Sequence, residues 1–307
     1  MNTLGEAVEE YLKVRRALGF KLEREGKLLA DFARHCERDG IESITCDAAV
    51  AWATAPADAD RGWWGSRLTT VRGFARWWSA FDPATEVPPG DLFPKRSHRA
   101  EPYPYSQSDL TALMEAARRL RSPLRAATYE TLIGLLAVTG MRVGEVIGLD
   151  RGDVDFDEAL LVVRGAKFDK SREVVLHPST LQALRSYRGI RNRECPRPPS
   201  PAFFVSSGGA RLIYKNVHFV FHQLVGRVGL QPRSERCRPR IHDLRHRFAV
   251  ETLLGWYRGG ADVEARLPEL STYLGHTNPK DTYWYLRAAP ELLALAAERL
   301  EAEEALR

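Results

Sequence analysis

An arginine, Arg142, stands in the run Thr139-Gly140-Met141-Arg142-Val143-Gly144-Glu145, on a tight corner bounded by glycines. Lys167 follows in a polar turn over 165–170, with Lys170 and Arg172 close behind. His242-Asp243-Leu244-Arg245-His246 places His242 and Arg245 one helical turn apart, on one face. Leu274-Gly275-His276 comes next, and Tyr285 lies nine residues past that histidine. Guanidinium forks grip phosphate oxygens through charge-assisted hydrogen bonds. A phenol, with a pKa of about 10, is a weak nucleophile until a base or a cationic pocket assists it. Histidine titrates where it can serve as that base. Taken singly, each residue has a plainer reading. Glu145 can simply pair with Arg142, a hairpin lysine faces solvent as a rule, and Tyr285 in Tyr283-Trp284-Tyr285 can be a packing aromatic. Only the combination, in its order and spacing, argues for more than these plain readings.

The elements that must position these residues can be read from periodicity. Residues 4–18 and 26–36 carry helical apolar stripes, and a third helix is expected near 47–54 with Asp47 as its cap. A fourth, over about 66–80, places Leu68, Val71, Phe74, Ala75 and Trp78 on one side and Arg67, Arg72 and Arg76 largely on the other. That arginine face suits either DNA phosphates or plain solvent. Prolines crowd 82–104. The boundaries drawn are therefore a helical domain over 1–93, a Pro-rich linker over 94–104, and a second domain over 105–307. In the second domain, Ser106 is a helix cap, an apolar helix spans about 124–138 and stops at Gly140, and a short helix covers 141–149. Residues 160–164 and 172–176 read as a hairpin around the Lys167 turn, 202–205 as a further short strand, and the chain beyond Tyr214 as helical. Residues 291–307 are amphipathic and read as a C-terminal helix.

Charge is unevenly placed. The net charge is +5 with a pI near 9.1, which permits a polyanionic partner. Arg233 to Arg247 holds six arginines against Glu235 and Asp243, and 185–197 holds five against Glu194, whereas 291–307 is acidic. Four cysteines without a CxxC pair argue against a zinc ribbon or a disulfide framework. No apolar run nears the roughly 20 residues that span a bilayer, and the first residues lack a signal pattern, so a soluble, cytoplasmic protein is expected.

The ordered motif set resembles that of the phage integrase, or tyrosine recombinase, family: an arginine in a T-G-x-R-x-x-E corner, a hairpin lysine, H-x-x-R, L-G-H, and a tyrosine nine residues further on. The match runs over roughly residues 105 to 290, and the helical first domain resembles the family's core-binding domain more loosely. The resemblance implies a mainly α catalytic domain with a small antiparallel β-sheet (α+β) behind an all-α core-binding domain, together a two-domain DNA clamp. It implies a prokaryotic, nucleoid-associated, site-specific DNA recombinase that needs neither metal nor ATP nor any other cofactor and works through a 3′-phosphotyrosyl intermediate. Arg142, Lys167, His242, Arg245, His276 and the nucleophile Tyr285 would be catalytic, with Glu145 supporting Arg142. Arg67, Arg72, Arg76, Lys170, Arg172, Arg240 and Arg247 are the candidate DNA contacts. The implied partners are a double-stranded recombination site and further copies in a tetrameric synapse, possibly with sister recombinases, the 291–307 helix docking on a neighbouring protomer. Mobile-element integration or excision is the expected role, with chromosome dimer resolution, type IB topoisomerase chemistry or a silent accessory protein as alternatives. Two departures stand out: Arg287 where many members have a histidine, and a long Pro-rich stretch over 191–201. Tyr283 remains the competing nucleophile. A metal-dependent hydrolase is the rival enzyme, on the i,i+4 pairs His218/His222 and His242/His246.

Overall fold

Side-chain caps decide where three helices of the first part of the chain begin. The computed structural model describes residues 3–93, 100–164, 171–276, 278 and 280–287, and the chain divides into two units, 1–99 and 100–307. In the first unit, α1 (Leu4–Ala17) opens on a capping box in which the Thr3 hydroxyl accepts from the Glu6 N–H and the Glu6 carboxylate from the Thr3 N–H. The second helix, α2, spans Glu23–Arg38. α3 (Cys46–Thr54) is capped by Thr45, which accepts from Ala48 N at 3.1 Å. Asp47, expected as that cap, lies inside the first turn instead. α4 (Arg61–Trp78) begins five residues ahead of the expected Ser66, because Asp60 accepts from Trp63 N at 2.8 Å and holds the first turn. Leu29, Phe32, Ile44, Trp52, Leu68, Val71 and Phe74 form this unit's core.

The second unit is helical around one small sheet. Ser106 caps α5 (Gln107–Arg118) with a reciprocal bond to Asp109, and Ser122 caps the apolar α6 (Pro123–Thr139). α7 (Val143–Gly148) and a single 3-10 turn, Arg151–Asp153, lead into β1 (Val154–Asp155), β2 (Leu160–Val163) and β3 (Arg172–Val175). The strands pair antiparallel in the order β1-β2-β3, with Leu161 opposite Val174 and Val163 opposite Arg172. Then follow α8 (Pro178–Glu194), α9 (Tyr214–Arg227), α10 (Asp243–Arg258), α11 (Val263–Leu274) and α12 (Lys280–Arg287). This is a mainly helical fold with a three-stranded sheet. The strand expected over 202–205 makes only the isolated bridges Asp150–Ala202 and Val205–Arg211. Phe203 and Phe204 are both buried, packing on Tyr187 at 5.5 and 4.9 Å between ring centroids, so this stretch wedges into the core.

Residues 100–105, read from sequence mostly as the end of a linker, are built into the second unit. Tyr103 and Tyr105 are buried, Tyr103 N donates to Asp243 Oδ2 at 3.1 Å, and the carbonyls of Glu101 and Tyr105 accept from Arg240 and Arg247. Among the described residues no helix is long and apolar enough to cross a membrane. The expected C-terminal helix over 291–307 lies outside the described residues.

Candidate active site

The site starts at the end of α6. Gly140 sits at φ 60°, and a Cβ there would overlap Phe248 Cδ1, so only glycine turns the chain here without strain. The turn delivers Arg142 to the residue that opens the next helix. Glu145, one turn into α7, accepts from Arg142 N at 2.9 Å and from Arg142 Nη1 at 2.8 Å, while Arg142 Nη2 donates to the Gly275 carbonyl at 3.2 Å. Arg172, at the start of β3, donates to the same carboxylate at 3.0 and 2.7 Å. Burial would raise the Glu145 pKa, but the hydrogen bonds from Arg172 and Arg142 win and hold it at about 2.

Arg245 enters from the first turn of α10 and is 2% exposed. Its Nη1 donates to the Gly140 carbonyl at 2.9 Å and its Nη2 to the Leu274 carbonyl at 2.7 Å. The two arginines therefore converge on the Leu274–Gly275 turn. Burial holds the Arg245 guanidinium below the usual arginine range, against the opposing pull of the nearby Tyr285 hydroxyl. That turn, with Gly275 at φ 67°, also presents His276, whose Nδ1 shares a 2.7 Å hydrogen bond with the buried Thr282 hydroxyl. Tyr285, on α12, is 5% exposed, with its ring 5.1 Å from His246 and 5.9 Å from His276, whereas Tyr283 is 52% exposed. Arg142, Glu145, Arg245, His276 and Tyr285 are thus gathered in one place, and His242 stands exposed immediately before α10. Lys167 and Lys170 lie outside the described residues.

The candidate DNA contacts fare differently. Arg67 is buried: it donates to the Trp52 carbonyl at 2.8 Å and its guanidinium lies 3.7 Å from the Trp52 ring centroid, so it serves the first unit's core and leaves the DNA-facing set. Arg72 ties α4 to the carbonyls of Pro88 and Pro89 at 2.7 and 2.6 Å. Arg76 is exposed. Arg172 is spent on Glu145, Arg240 on Asp243 at 2.9 and 2.8 Å, and Arg247 on Tyr105 and Gln107. Three residues of the site carry no sign of these roles in the sequence. They are Arg172 as the partner of Glu145, Thr282 on His276, and His246, whose i,i+4 spacing from His242 suggests a metal pair. The His246 ring packs on Trp284 and Tyr285. Among the described residues no three His, Cys, Asp or Glu side chains form a metal-holding group.

Comparison with known proteins decides the family. A family model described as the phage integrase family matches residues 105–291, over half of the chain. The protein belongs to the phage integrase family. A putative integrase/recombinase, y4rB of Sinorhizobium fredii, is 45% identical over 98% of both chains. The tyrosine recombinase XerC of a Mycobacterium is 30% identical over 93% of this chain and 94% of its own. Among solved structures, the Tn1549 transposon integrase in complex with transposon right end DNA superposes with a TM-score of 0.64 at 16% identity, covering 98% of this chain and 100% of that one. A lambda integrase dimer bound to a core site gives 0.60 at 18% identity, covering 92% and 77%. As a phage integrase family member, the chain is a site-specific DNA recombinase with the family's catalytic fold.

Proposed function

We propose that this integrase-family protein cleaves and rejoins DNA through a 3′-phosphotyrosyl intermediate formed on Tyr285. The Tyr285 oxygen attacks the scissile phosphorus while His242 takes the phenolic proton. The bond to the 5′-oxygen breaks, and Lys167 protonates that leaving group. Arg142 and Arg245 grip the nonbridging oxygens as negative charge builds on them, and His276 adds a hydrogen bond. Attack by the 5′-hydroxyl of another strand on the phosphotyrosine reverses the step and releases the phenol. One phosphoester replaces another, so no ATP is consumed, and the arginines supply the charge a metal would otherwise bring. The work is done on duplex sites held in a tetrameric synapse. Integration or excision of a mobile element is its role, a reading supported by the greater identity to y4rB, named an integrase/recombinase, than to XerC.

The placement of Tyr285 carries this reading: it is buried, with its ring 5.1 Å from His246 and stacked 5.9 Å from His276, while Tyr283 is turned to solvent. The test uses nicked duplexes tiled across the DNA flanking the protein's own gene, in which the cleaved strand escapes and traps the enzyme. Wild type and Tyr283→Phe give a protein–DNA adduct that survives denaturation, and Tyr285→Phe gives none. An adduct from Tyr285→Phe overturns the assignment.

A further inference from the structure

We infer that Arg172 is a positioning residue for strand cleavage, locking the β2–β3 hairpin to the Arg142 clamp through Glu145. This deepens the proposed function and rests on its reading of Arg142. From sequence, Arg172 is one more cation after Lys170, suited to a phosphate. Its geometry is otherwise. The side chain is 14% exposed, both terminal nitrogens are committed to Glu145, and its Nε is buried with no acceptor among the described residues.

Glu145 shows what that commitment does. Each of its oxygens accepts twice: Oε1 from Arg142 Nη1 and Arg172 Nη1, Oε2 from the Arg142 backbone N–H and Arg172 Nη2. A carboxylate offers about four lone-pair sites, and all are taken, so the carboxylate has no second orientation of comparable energy. Two donors come from the corner that carries Arg142, and two from strand β3. Removing Arg172 empties half of the sites and lets the carboxylate swing between capping α7 and holding the Arg142 side chain. The third side of the frame is Gly275. A Cβ there would lie 2.9 Å from Arg172 Nη1, and its carbonyl accepts from Arg142 Nη2. Hairpin, arginine corner and the turn before His276 are therefore joined by one closed set of contacts, in which Arg172 is the piece contributed by the hairpin. Partners of this kind, one step removed from the reacting atoms, change activity by roughly tenfold to a hundredfold when removed.

The test measures single-turnover adduct formation on the nicked duplex at saturating protein, and duplex affinity over a salt series. Arg172→Ala is expected to slow adduct formation by roughly tenfold to a hundredfold, with affinity within about twofold of wild type and an unchanged salt slope. Arg172→Lys, a point charge without the fork, falls between. The double variant Glu145→Gln/Arg172→Ala loses no more than the worse single variant. Weaker affinity with a shallower salt slope at unchanged cleavage makes Arg172 a phosphate contact and overturns the inference, as do losses that multiply in the double variant. A slow rate that recovers fully once the variant is cooled until wholly folded marks packing alone and also overturns it. Arg142→Ala separates this inference from the reading beneath it. If that variant cleaves at the wild-type rate, the clamp itself falls and Arg172 with it. If it is inert while Arg172→Ala is unimpaired, only the inference about Arg172 falls.

Discussion

Glu145 carries a measurable signature of its four hydrogen bonds. Its pKa is held at about 2, below the ordinary 4.5, so its contribution to stability is fully present above about pH 4.5 and fades as pH falls through 2. The depression corresponds to something on the order of 3 kcal/mol. Asp243 runs the other way: burial raises its pKa, so acid favours its folded form and offsets part of the loss. Urea midpoints of wild type and Glu145→Gln between pH 5 and 2.5 isolate the first effect. The wild-type curve is expected to fall more steeply, and parallel curves would sink the idea. At this scale the sequence is legible wherever chain order itself sets geometry: the arginine after the glycine corner, the histidine after Leu274-Gly275, the tyrosine nine residues on. It is illegible wherever a side chain's partner is distant in sequence. Arg67 belongs to a charged stripe on α4, yet its guanidinium is held by Trp52 on another helix. Arg172 stands 27 residues from Glu145, and no local periodicity links the two.

Helix ends matter more to this site than helix lengths. Two left-handed glycines, Gly140 and Gly275, close α6 and α11 and hand Arg142 and His276 to the same place. Gly260 shares the positive φ, but a methyl group added there would meet nothing within 4 Å, whereas one added at Gly140 falls on Phe248. Gly260→Ala is therefore expected to cost about 1 kcal/mol for its backbone alone. Gly140→Ala adds displacement of the partly buried Phe248 ring, for about 2–4 kcal/mol in total. Denaturant unfolding of both variants checks the ranking, and equal losses would count against the clash. Local signals also explain which elements are legible. The Gly140 stop and the Ser106 cap lie beside the helices they bound, and the sequence shows them, whereas the Gly275 stop is not read from it. The start of α4 is hidden because Trp63, Trp64 and Gly65 break the apolar stripe, although Asp60 already caps the helix. α8 is hidden because its surface is arginine-rich and buries only Leu184, Tyr187 and Arg191.

Each unit of the molecule has its own apolar core, one around Phe32, Trp52 and Phe74, the other around Leu113, Leu132 and Phe204. Phe32→Ala and Leu132→Ala each empty a fully buried site, with costs of about 3–5 and 2–5 kcal/mol. Amide exchange is expected to quicken within 3–93 for the first and within 100–287 for the second. Loss of protection across the whole chain from either change would mean one cooperative core. The proline-rich stretch suggests a linker over 94–104, but its last residues are not legible as part of the second unit, since Tyr103 looks like linker until Asp243, Arg240 and Arg247 are seen to hold the chain beside it. For anyone exchanging the first unit between recombinases, this sets the splice point. A junction placed before Glu101 carries these tethers along with the acceptor's His242 and Arg245. A junction at Ser106, which the prolines invite, parts residues 101–105 from the Asp243, Arg240 and Arg247 side chains that hold them, and a chimera joined there is expected to unfold at lower urea than one joined before Glu101.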